Sequence, residues 1–78
     1  MSAELVREAL RDGNRVALLR CFDGPEGASI VEVEVVPADG GDPLRRGPYR
    51  FANAHEAFRF VQEALLALQY LGCTVTAA

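Results

Sequence analysis

Hydrophobic and polar positions change period several times along this chain, and the longest regular stretch runs from Asn53 to Tyr70. Ala54, Phe58, Val61, Leu65 and Leu68 recur at helical spacing. Ala57, Phe60, Ala64 and Ala67 widen that seam beyond the ~100° stripe that covers one core. His55, Glu56, Arg59, Gln62, Glu63 and Gln69 take the opposite side, interrupted by Leu66 and Tyr70. Asn53 predicts an N-cap, its side-chain oxygen accepting from a free N–H of the first turn, with Glu56 placed to reach back. Gly72 supplies the left-handed residue that stops a helix. The stretch predicts one amphipathic helix whose apolar side is wider than a single sheet needs.

Earlier in the chain the period shortens. Ala28 to Val36 alternates Val31, Val33 and Val35 with Glu32 and Glu34, the mark of a half-buried strand. Arg15 to Phe22 reads as its antiparallel partner, because Asp23-Gly24-Pro25-Glu26-Gly27 is a turn by composition. Placing Arg20 opposite Glu32 gives the glutamate a cross-strand partner and sets Ala17, Leu19 and Cys21 beside the three valines. That register leaves Val16, Leu18, Phe22, Ile30 and Val36 on the second face, too many apolar groups for a face wholly in water. Pro48 to Ala52 predicts a short third strand after the loop Pro37 to Gly47, and Cys73 to Thr76 a final one. At the start, Ser2 as a cap and Leu5, Val6, Ala9 and Leu10 as an apolar side predict a short helix, stopped by Gly13 and Asn14.

The expected fold is therefore a small α+β domain of order α-β-β-β-α-β. Its three- to four-stranded, mainly antiparallel sheet carries helices on one face, the long one through Phe58, Val61, Leu65 and Leu68. The run of helix, three strands and helix resembles double-stranded RNA-binding domains in topology alone. Where those domains place a lysine cluster, at the start of the second helix, this chain reads Asn53-Ala54-His55-Glu56-Ala57. No function is carried over.

Composition narrows the class. Seventy-eight residues make one domain with a modest core, and half of them are hydrophobic, which excludes a disordered chain. The net charge of −3 excludes little; all eight basic residues are arginine, a codon-bias pattern that points to a bacterial source. Cys21 and Cys73 are too few for a disulfide framework, and both sit in apolar runs as buried free thiols. Glu4, Arg7, Glu8 and Arg11 break any export signal, and no run approaches the ~20 apolar residues of a membrane span. A cytoplasmic protein with reduced thiols, without a membrane segment, is the expectation.

No catalytic set, metal site or cofactor motif emerges. His55 is the only histidine, and its neighbour Glu56 points elsewhere on a helix. Cys21, Cys73 and His55 lie on separate elements with no paired-ligand spacing, and the glycines at 24, 27, 40, 41 and 47 form no phosphate loop. Arg45, Arg46, Arg50 and Arg59, with only Glu56 against them between 45 and 59, are candidates for binding an anion or nucleic acid. The leading expectation is a small non-enzymatic interaction or regulatory domain that acts as a homodimer. Two surfaces compete for the contact: the hairpin face of Val16, Leu18, Phe22, Ile30 and Val36, which five side chains favour, and the helix surface of Leu66 and Tyr70.

Overall fold

The computed structural model describes residues 4–77. Five strands and one long helix make up the domain: β1 (Leu5–Arg11), β2 (Asn14–Asp23), β3 (Ser29–Val35), β4 (Leu44–Phe51), α1 (Ala54–Tyr70) and β5 (Thr74–Ala77). The strands form a single sheet in the order β4-β3-β2-β1-β5, every adjacent pair antiparallel. The small α+β class thus holds, with five strands in place of three or four and, among the described residues, one α-helix in place of two.

The first element is the main correction. Leu5 to Leu10 belongs to a strand, joined to β2 by a two-residue turn, Asp12-Gly13. Both turn residues have positive φ, 52° and 81°, which two-residue hairpins require and which Asp-Gly supplies at low cost. Helical spacing at Leu5, Val6, Ala9 and Leu10 competes with this turn and loses, because the strand also pairs on its other side with β5. With the first helix gone, the resemblance in order to double-stranded RNA-binding domains ends. Ser2, its expected cap, lies outside the described residues.

The β2–β3 register is the expected one: Arg20 opposes Glu32, and Ala17, Leu19 and Cys21 oppose Val35, Val33 and Val31. Arg20 nevertheless spends its charge elsewhere, meeting Glu4 at 3.3 Å across β1. The third strand, expected over Pro48 to Ala52, starts earlier, because Leu44, Arg45 and Arg46 also pair with β3, and ends at Phe51. Between Arg46 and Tyr49 the register shifts, two residues facing Glu32 alone. Gly47 makes this bulge possible: its φ is +94°, and a Cβ there would stand 2.9 Å from the Val31 carbonyl oxygen.

The helix begins and ends where the sequence puts it, although the Glu56 side chain does not reach back to the Asn53 N–H. Asn53 Oδ1 accepts the Glu56 N–H at 3.0 Å. At the far end the Cys73 N–H donates to the Leu68 carbonyl and the Gly72 N–H to the Gln69 carbonyl, a Schellman closure with Gly72 at φ +91°. The buried seam runs along Ala57 and Val61, with Phe60, Ala64, Leu65 and Leu68 packed at its margins. Phe58, expected within the seam, is 42% exposed. Below the helix lie Ala9, Ala17, Leu19, Cys21 and Val31, all buried.

The path of α1 follows from topology. Phe51, Ser29, Cys21, Leu5 and Ala77 lie toward one end of the sheet, Leu44, Val35, Ala17, Leu10 and Thr74 toward the other. The helix leaves β4 at the Phe51 end and enters β5 at the Thr74 end, so it crosses the sheet on a diagonal. Seventeen residues give it roughly 25 Å, enough for the ~19 Å width of five strands with some advance along them. A rod about 10 Å wide on a diagonal leaves two opposite corners uncovered.

Candidate interaction surface

The uncovered corner at the Leu44 end of β4 is a groove. Ala17, Leu19, Val33, Val35 and Tyr49 form its floor and outer bank, and Phe60, Ala64, Ala67 and Leu68 form the helix bank. It encloses about 320 Å³, opens widely to solvent, and has one charged lining residue, Arg46. Phe60 sets the closed end, its ring 5.6 Å from Tyr49 and 5.3 Å from Phe51 in tilted contacts. Leu44 is 49% exposed and pairs with exposed Val35 at the open end.

The helix bank continues into a second exposed apolar group. Leu66 is 59%, Leu71 67% and Tyr70 94% exposed. At 100° per residue, Tyr70 stands about 40° from Leu66 and about 60° from Ala67, so these residues follow one another around the cylinder. No charged residue occurs from Ala64 to Ala77. Leu66 and Tyr70 are the second candidate surface of the sequence, and this charge-free run is a further signal for it; the groove beside them could not be read there, because it depends on the helix path.

The hairpin face differs from its expected form. Leu18, Phe22, Ile30 and Val36 are half-buried rather than bare. The Arg20 guanidinium lies 5.5 Å from the Phe22 ring centre, Leu18 sits in a hollow among Arg20, Glu32, Glu34 and Arg45, and the loop at Gly24 closes on Ile30. Long charged side chains lay their stems over apolar groups here and keep their heads in water. Val16 leaves this face: the bulge opposite Ala9 and Leu10 inserts it as an extra residue, and it packs against the core cluster.

The four candidate arginines are not brought together. On the open sheet face Arg45 lies 3.9 Å from Glu34, while Arg50 reaches Glu26 at 3.8 Å. Arg59 pairs along the helix with Glu63 at 3.7 Å. Arg46 lines the groove, and among the described residues it has no ion-pair partner. Three of these cations are thus beside carboxylates, and the set spans both sheet faces and the helix.

His55 is exposed in the first helical turn. Cys21 is buried under the helix, and loss of water contact, helped by nearby Asp23, pushes its thiol pKa up. Cys73 is half-buried, more accessible than expected, and both cysteines are free. No group of three potential metal ligands converges, and no helix is long and apolar enough to cross a membrane, among the described residues. Comparison with protein-family models, curated proteins and solved structures finds no match.

Proposed function

We propose that this protein is a small non-enzymatic protein-interaction domain whose contact surface is the groove between α1 and the β3–β4 corner. One observation carries the reading: exposed apolar groups border the groove, Leu44, Val35 and Tyr49 on the sheet side and Tyr70 and Leu71 past the end of the helix bank. Contact cores are depleted of charge and rich in aromatic and aliphatic side chains, and this surface has that composition. Its shape supports a protein occupant over a small molecule, since small ligands are mostly enclosed and this groove is open along one side.

A photoreactive phenylalanine analogue at Leu44, on the groove rim, and at Phe22, on the opposite sheet face, tests this in cells of the native source. The expected result is a protein adduct from position 44 and none from position 22. Adducts from position 22 alone, or from neither, overturn the reading.

A further inference from the structure

Resting on that reading, we propose that the occupant of the groove is a second copy of this chain, docked about a two-fold axis. Tyr70 and Leu71 of each protomer enter the groove of the other. Projection and recess lie on the same half of the same helix: Ala64, Ala67 and Leu68 line the groove, while Tyr70 and Leu71 stand out at its end. A two-fold contact requires one patch that complements itself, and this patch supplies both parts. Ala64 and Ala67 present small side chains on the helix bank, which lets a partner helix approach closely.

Charge selects the same occupant. The last turn of α1 contains no basic residue, so the negative end of its dipole is uncompensated within the helix. The groove holds a single cation, Arg46, with no ion-pair partner among the described residues. Two-fold docking brings each Arg46 to the partner's helix end, where a guanidinium is favoured.

The alternative route to a dimer, pairing of two β4 edges, is opposed by the strand itself. Alternation from the Val16–Val36 hydrogen bond turns the backbone of Arg45, Pro48 and Arg50 outward, and Pro48 has no N–H to offer. Two such edges would also set arginines against arginines.

Sedimentation equilibrium from about 5 to 500 micromolar measures the association. The wild type is expected at twice the 8.4 kDa chain mass over the upper part of that range. Tyr70→Lys adds a cation that suits its own helix end but opposes the partner's Arg46, and should weaken the dimer at least tenfold. Arg46→Glu alone should also weaken it, and combining it with Tyr70→Lys should recover part of the loss. Ile30→Glu, on the open sheet face, should leave the constant within about twofold. Circular dichroism confirms that each variant is folded, and Tyr70 is exposed enough that its replacement leaves the core intact. A wild type that stays monomeric throughout, or a dimer lost with Ile30→Glu and kept with Tyr70→Lys, overturns the proposal. A monomer that still gives adducts to another protein from position 44 defeats the second copy and keeps the interaction reading; a monomer giving none defeats both.

Discussion

Leu18 and Leu19 are adjacent in the middle strand of the sheet and differ in the face they meet. Leu19 is 2% exposed beneath α1, whereas Leu18 is half-buried under the charged side chains of the open face. Truncating a fully buried leucine to alanine costs about 2.7–5 kcal/mol, transfer and cavity together. The groove adjoins Leu19 and lets neighbours relax inward, so the low end, about 3 kcal/mol, applies. Leu18→Ala forfeits only part of a burial worth roughly 1.5–3 kcal/mol and leaves a site open to water, so about 1 kcal/mol is expected. A chain of this length holds roughly 4–12 kcal/mol in total, so Leu19→Ala removes a quarter or more of it. With a urea slope of about 1 kcal/mol/M, the midpoint falls by about 3 M for Leu19→Ala and about 1 M for Leu18→Ala. Equilibrium unfolding followed by circular dichroism reads both, at one fixed protein concentration, because association adds to apparent stability. Equal shifts, or a larger one for Leu18, would refute the assignment of faces.

Three further outcomes are expected. Asn53→Ala loses the bond to the Glu56 N–H and should cost about 1 kcal/mol, whereas Asn53→Gly costs only a few tenths; no difference between them in thermal unfolding would show that the cap is idle. Cys73 should react with a thiol reagent faster than Cys21 in the folded protein, since burial both shields Cys21 and raises its pKa. The folded state then holds the Cys21 proton more tightly than the unfolded chain. Stability is full below the ordinary thiol range near about 8.5 and falls as pH rises through it toward the raised folded value. Cys21→Ala should flatten that alkaline slope, and an unchanged slope would remove the thiol from the account.

The long helix and its ends were legible because each rests on local chemistry, a side-chain cap and a glycine stop; the β2–β3 register was legible too, although Arg20, placed opposite Glu32 as a charge partner, meets Glu4 instead. The first strand was not, although its decisive signal was present. Asp12-Gly13 serves as a helix stop or as a hairpin turn, and only the β5 strand some sixty residues later makes the second use pay. Leu5, Arg7 and Ala9 also defeat simple alternation, because an arginine takes a helix-side position and turns its Nη1 back to the Val6 carbonyl at 2.9 Å. The bulge that moves Val16 off the hairpin face leaves no mark in the residues around it. The arginine cluster illustrates the same limit from the other side: nearness in sequence across a strand, a bulge and a helix gives no nearness in space.

The four strands β1 to β4 form a meander in which each pairs with the one before it, so each closure spans only a short loop. β5 is different. It must return to β1 across about sixty residues, an ordering cost roughly 3 kcal/mol above that of a two-residue hairpin by loop-length scaling. Among the described residues four pair there to offset that cost, and they can do so only once α1 has crossed the sheet. The last strand is therefore the latest to form and the first to open. Its amides should exchange with solvent soonest of the ladder, and whenever it lifts away, β1 briefly becomes an unguarded edge.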